Sequence, residues 1–228
     1  MEATLLETMT QDSPKGLIVP IGADSTGTNF SLDLGKTESL LISYPKWMAV
    51  DTTIIRKILD STQTNNKPQE CRLIVVDLCE AGLKSYDGSD YLLTPVIEVT
   101  ERLICAHQWT LKEIDKRMEL FKEYGVKSIE QYNQVAGFTA MEYILIVDVD
   151  ISEAMMIAPS AIYDLMSNIM VNARKTGFIM IATTKHPRDL MSKLFKSIIS
   201  YKGNDEIGIV NYQSEDNEES QKIKLDIA

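Results

Sequence analysis

Residues 143–149 read YILIVDV, an apolar run broken only by Asp148. A strand with one face in water alternates apolar and polar side chains, so a run without alternation marks a strand covered on both faces, as in a parallel sheet. The signature recurs upstream in RLIVVDL at 72–78, downstream in FIMIAT at 178–183, and in shorter form as SLLIS at 39–43. Helical patterns lie between these runs. Residues 98–124 carry Leu111, Ile114, Met118 and Phe121 at 3–4–3 spacing and stop at Gly125, a residue suited to a helix C-terminal cap. A second pattern runs through Ile162, Leu165, Met166, Ile169, Met170 and Ala173 to Gly177, and Asp51 with Thr52 can cap a third through Ile54, Ile55, Ile58 and Leu59. Strands alternating with helices predict an α/β fold, a doubly wound sheet with parallel strands at its centre.

Towards the amino end, GLIVPIG, the turn formers ADSTGTN and the alternating FSLDL predict a β-hairpin over residues 16–34. Residues 1–15 are polar and aperiodic, and are expected to form a loose arm. No repeat or linker divides the rest, so residues 16–228 are expected to be one domain. Asp205, Glu206, Glu215, Asp216, Glu218 and Glu219 crowd the carboxyl end, which reads as a solvated loop.

Composition narrows the function classes. The 228 residues are 44% hydrophobic and 25% charged, the balance of a globular protein. No apolar run approaches a membrane span, and the first residues lack the basic start and apolar core of a signal peptide, so no membrane insertion and a cytoplasmic location are expected. Three cysteines without CxxC spacing and two histidines fit neither a disulfide framework nor a metal site. The net charge of −10 opposes any polyanion partner, because Lys and Arg supply most non-specific DNA affinity.

Four blocks of residues resemble the motor domain of the FtsK/SpoIIIE DNA translocases. Gly22-Ala-Asp24 through Gly27 to Asp33-Leu34 and Lys36 resembles that family's G-K-D-x-x-G…D-L-x-K hairpin. Arg72-Leu-Ile-Val-Val-Asp77, Tyr86-Asp-Gly88 and Leu92-Leu-Thr-Pro95 resemble its R-L-I-x-I-D…Y-x-G…L-L-T-P stretch. Trp109, Glu113, Arg117, Gly125-Val126 and Tyr132-Asn133 fall at its W…E…R…G-V…Y-N spacing. Tyr143-Ile144 through Met155-Met156, and Ala173-Arg174 through Gly177 to Thr184 and Pro187, look like the second half of its core. The likeness covers roughly residues 16–190. It implies a three-layer RecA-like P-loop NTPase fold with a mainly parallel central sheet, in a family whose motors form hexameric rings on duplex DNA.

The resemblance also assigns positions to the nucleotide site, and there the sequence departs from the family. A P-loop needs glycines whose N–H groups wrap the β-phosphate, a Lys for the phosphates and a Ser or Thr for magnesium. Counting from the matched hairpin, Val50 takes the Lys position and Asp51 the Ser/Thr position, with no glycine between Gly35 and Gly82. Pro45 removes an N–H donor, Trp47 adds bulk, and Lys46 lies four residues before the expected lysine. A carboxylate at Asp51 is expected to satisfy the N–H groups at the helix start itself. The family's adjacent Asp-Glu pair falls on Val149 and Asp150, or after a one-residue shift on Asp148 and Val149, so one carboxylate is missing either way. Asp148 and Asp150, at i and i+2, are expected on one strand face. Lys185 replaces the sensor Gln and His186 the Arg that follows it, while Asp77 reads as a strand-end carboxylate.

Lys46, Val50, Asp51, Asp148, Asp150 and Lys185 thus mark a degenerate nucleotide site, with no catalytic residue, metal or cofactor assigned. Three functional readings follow. The first is a pseudo-ATPase, a structural or regulatory subunit that binds a protein partner or related motor subunits in a homo- or hetero-oligomer, with DNA contact weak or indirect. The second is a working ATP-dependent DNA translocase with an unorthodox site, and the third a weak nucleotide binder without turnover.

Overall fold

The computed structural model of the chain describes residues 17–24, 26–46, 49–137, 140–185, 193–201, 209–214 and 217–225. Its centre is a parallel sheet of five strands: β3 (Ser39–Ser43), β4 (Cys71–Asp77), β5 (Tyr143–Val149), β6 (Phe178–Thr184) and β7 (Ser197–Tyr201), in the order β7-β3-β6-β5-β4. Register follows the apolar runs: Arg72 lies beside Ile144 and Ile144 beside Phe178, while Val76, Asp148 and Ala182 line up near the carboxyl ends. Every residue of β3, β5 and β6 is buried, as their unbroken apolar runs require.

Side chains of alternate parity face two helix layers. Leu145, Val147 and Val149 share a core with Ile54, Ile55, Ile58 and Leu59 of α2 (Thr53–Asn65). Ile144 and Ile146 face the other way, towards Leu103 and Ile114 of α3 (Thr100–Tyr124) and Ile162, Met166 and Ile169 of α6 (Pro159–Thr176). Helix α2 is rich in β-branched residues, each disfavoured by up to about 0.7 kcal/mol. Burial of its four aliphatic side chains, at about 1.5–3 kcal/mol each, outweighs that cost.

Helix α3 is the longest described helix, at 25 residues, and ends where expected. Gly125, at φ 67°, turns its N–H back onto Lys122 and Phe121 carbonyls. Its lower half is fixed by Arg117, which is 2% exposed. The Arg117 guanidinium donates to the Glu142 and Thr176 carbonyls at 2.8 and 2.9 Å and lies 4.9 Å from the centre of the Phe178 ring. At the outer edge of β4, residues 91–97 run alongside as a strap, and Arg72 donates to the Tyr91 and Leu92 carbonyls to hold it there. An open strand edge invites unwanted pairing, and the strap covers this one.

The other described α-helices are α1 (Leu34–Thr37), α4 (Ile129–Ala136) and α5 (Ser152–Ile157). The expected hairpin is present as β1 (Ile18–Asp24) and β2 (Asn29–Asp33), paired antiparallel.

The carboxyl region corrects one expectation. Residues 209–214 form β8 (Ile209–Ser214), and 217–225, including Glu218 and Glu219, form β9 (Asn217–Leu225) rather than a loop. These strands are antiparallel and join the hairpin to β7, giving nine strands in the order β2-β1-β9-β8-β7-β3-β6-β5-β4. Pairing with β8, joined by β1 over residues 223–225, draws the segment into the sheet despite the low strand preference of its acidic residues. The expected arm at 1–15, together with Asp205, Glu206, Glu215 and Asp216, lies outside the described residues.

Candidate functional site

In an open α/β sheet, ligands sit beyond the carboxyl ends of the parallel strands. Here that edge gathers the loop after β3, the turn after β4, the β5–α5 junction and the end of β6. Asp51 stands just before α2, half-buried. Its Oδ1 accepts from the Thr53 N–H at 2.8 Å, and its carbonyl accepts from the Tyr44 hydroxyl. The carboxylate thus occupies a free donor at the helix start. Thr52 makes no side-chain cap bond to α2.

Tyr44 is buried and packs against Tyr201 at the end of β7, with ring centroids 4.7 Å apart. Burial first, and the charges of Asp51, Cys79 and Asp150 second, push the Tyr44 phenol well above its usual range. The Tyr201 phenol is raised likewise, by burial first and then by Tyr44 and Asp51. Val50 is half-buried against the α2-side core, and Lys46 is exposed. Trp47, expected to add bulk here, and His186 lie outside the described residues.

Asp77, 2% exposed, folds its own turn: Oδ1 accepts from Ala81 N–H at 2.8 Å and Oδ2 from Leu83 N–H at 3.0 Å. This is the expected strand-end carboxylate. Arg56 of α2 reaches the same turn through the Ala81 and Gly82 carbonyls, tying the helix to it. Cys79, exposed on the turn, has its thiol pushed up to about 11, first by burial of its sulfur and then by Asp77 and Asp150, against the opposing charge of Lys185.

The two aspartates of the β5 end part company, contrary to expectation. Strand pairing stops at Val149, and Asp150 turns into the left-handed region at φ 50°. Its N–H donates to the Thr183 hydroxyl at 2.8 Å, and its Oδ1 accepts from Ser152 N–H at 3.3 Å. Asp150 therefore joins Cys79 at the strand ends. Asp148 lies within the strand, fully buried on the α3 side, with its Oδ2 2.9 Å from Nε2 of His107. That approach falls outside hydrogen-bond geometry, and neither side chain has a hydrogen-bond partner among the described residues. Lys185 is half-buried beyond β6, its N–H donating to the Ser152 hydroxyl at 3.2 Å.

Asp51, Asp150 and Lys185 thus converge on the strand ends, Val50 lies under the loop, Lys46 faces outward and Asp148 sits apart. Two partners escaped the sequence reading. Tyr201 closes a short alternating strand with no distinguishing signal, and His107 is one histidine in a long helix whose link to Asp148 is visible only in space. Among the described residues, the site's charged groups are Asp51, Asp77 and Asp150 with the cations Lys185 and Arg56. Among the described residues, no three metal-ligating side chains come together.

The sequence profile of the FtsK/SpoIIIE family matches residues 2–196. The chain is 26% identical to the DNA translocase FtsK of Caldanaerobacter subterraneus subsp. tengcongensis, over 80% of this chain and 26% of that protein. It is 27% identical to the DNA translocase SftA of Bacillus subtilis, over 83% of this chain and 20% of that one. The chain therefore spans about a quarter or less of the length of these curated relatives. Among solved structures, ATPases 2 and 3 of EssC from Geobacillus thermodenitrificans superpose with a TM-score of 0.77 at 15% identity, over 93% of this chain and 45% of that one. The pCW3 conjugation coupling protein TcpA gives 0.72 at 17% identity, over 94% of this chain and 67% of that one. These likenesses carry the RecA-like P-loop ATPase fold. With the profile spanning the sheet from β1 to β6 and both helix layers, the chain belongs to the FtsK/SpoIIIE family.

Proposed function

We propose that this domain is a catalytically inactive translocase-fold subunit, a pseudo-ATPase that works by binding related motor subunits or another protein partner. One observation carries the reading: the Asp51 carboxylate accepts the Thr53 N–H at the start of α2. A P-loop offers such donors to phosphate. Here a fixed negative charge holds one of them, and Asp77 and Asp150 add to the repulsion any triphosphate meets. Asp150 stands alone where the family has an adjacent carboxylate pair, so neither magnesium binding nor water activation has its usual residues.

The likeness to secretion and conjugation ATPases supports a place beside other motor subunits, in a homo- or hetero-oligomer. Residues 16–228 act as one domain in this reading, without a cofactor and in the cytoplasm. Among the described residues no helix is long and apolar enough to cross a membrane.

Calorimetric titration of the purified protein with ATP and magnesium, followed by a phosphate-release assay, tests the reading. No binding and no release are expected. Binding with steady turnover would instead make the domain a working translocase motor, and binding without turnover a weak nucleotide sensor.

A further inference from the structure

Three features meet at the amino end of α2, a helix of 13 residues. The Asp51 carboxylate holds the Thr53 N–H at 2.8 Å. The Tyr44 hydroxyl donates to the Asp51 carbonyl, fixing the residue from behind. The Tyr201 hydroxyl, on a side chain 7% exposed, makes no well-aligned hydrogen bond. Tyr201 nevertheless lies close enough to feel the Asp51 charge. Burying a phenol without a well-formed hydrogen bond is costly, so its place beside one carboxylate asks for an explanation.

We propose that Asp51 is a built-in anion: its carboxylate sits in the seat that an oxyanion would take at the start of α2, with the Thr53 N–H and the Tyr201 hydroxyl as the remaining donors of that seat. The inference rests on the pseudo-ATPase reading and extends it. An empty helix terminus is a ready anion site, favoured by the helix dipole and by unpaired N–H groups. Filling it from within keeps α2, β3 and β7 in one arrangement whether or not a nucleotide is present. Ser43 and Ser200, joined by a 3.1 Å hydrogen bond, secure the same two strands just below. The domain would then offer its partners a constant surface, where a working motor changes shape with its nucleotide.

Removing the carboxylate should reopen the seat. Asp51→Ala is expected to lower Tm by about 2–4 °C, the usual effect of losing one helix cap in a chain of this size. Inorganic phosphate or sulfate, compared with chloride at equal ionic strength, should raise the variant's Tm by clearly more than the general salt effect seen in the wild type, restoring most of that loss. Adding Tyr201→Phe to the variant should reduce the rescue. If Asp51→Ala yields no folded protein, Asp51→Ser carries the same test, since it keeps a capping oxygen and vacates the volume. An unchanged Tm in the variant, no rescue by either anion, or equal stabilisation of wild type and variant would each overturn the inference. ATP binding by the wild type is a separate result that bears on the pseudo-ATPase reading, so the two failures are distinguishable.

Discussion

Cys79 stands in the open on the turn after β4, yet its surroundings work against its chemistry. Burial of the sulfur and the carboxylates of Asp77 and Asp150 raise the thiol from 9.0 to about 11, and only Lys185 pulls the other way. The thiolate is the nucleophile, so raising the thiol lowers reactivity at any pH below the shifted value. At pH 8 alkylation of Cys79 by iodoacetamide is expected to run about tenfold or more slower than that of an unperturbed thiol, since the smaller thiolate fraction outweighs its greater nucleophilicity, and to rise until about pH 11. Asp150→Asn should speed it and Lys185→Ala should slow it, each read by mass spectrometry of the modified peptide. A normal rate would mean that these charges do not surround the sulfur as described. Single residues were also where the sequence was hardest to read. Asp51 was legible because a carboxylate before an apolar helical pattern has few other uses than capping. The link between His107 and Asp148 was not, since a lone histidine in a helix gives no hint of which strand residue it packs against. The fate of Asp150 was misjudged because strand parity holds only while the strand continues, and this one ends a residue earlier.

Elements were more legible than residues, for a physical reason. Strands buried on both faces leave unbroken apolar runs, and helices packed on one face leave a period near 3.6, so β3 to β6 and α2, α3 and α6 stood out. Strands β8 and β9 did not, because their stability comes from pairing with neighbours rather than from an apolar pattern of their own. Helix ends give a sharper test. Gly125 and Gly177 both close helices at positive φ, 67° and 83°, but only Gly177 is crowded: a Cβ there would lie 2.3 Å from Cδ1 of Ile129. Gly125 has nothing within 4 Å. Gly125→Ala should therefore cost about 1 kcal/mol, the backbone term alone. Gly177→Ala adds a steric clash of about 1–3 kcal/mol and should destabilise clearly more in urea unfolding. Equal losses at the two sites would place α4 away from the end of α6.

At the scale of the whole molecule, charge decides what the domain can do alone. The chain carries 23 Lys and Arg against 33 Asp and Glu, a net −10. Binding to duplex DNA gains free energy mainly by releasing counterions as Lys and Arg neutralise phosphates, so the gain scales with the number of such contacts. An acidic surface must first overcome its own repulsion of the polyanion, which at about 0.15 M salt is screened beyond about 8 Å but not at contact. The cations that the fold buries or pairs are also withdrawn from any such surface. Arg117 is 2% exposed beneath α3, Arg72 holds the strap, and Arg174 pairs with Glu130 at 2.9 Å. Affinity of the isolated protein for duplex DNA at physiological salt is therefore expected to be no tighter than the ~10⁻⁴–10⁻⁶ M of non-specific binders. If the proposed hetero-oligomer is a mixed ring, an active paralogue would supply the DNA contacts. Fluorescence anisotropy with a labelled duplex, repeated across salt concentrations, measures both affinity and the number of phosphates neutralised. Sub-micromolar binding with a steep salt slope would show a basic surface strong enough to overcome the net charge, and would move the domain from a passive subunit to one that grips DNA itself.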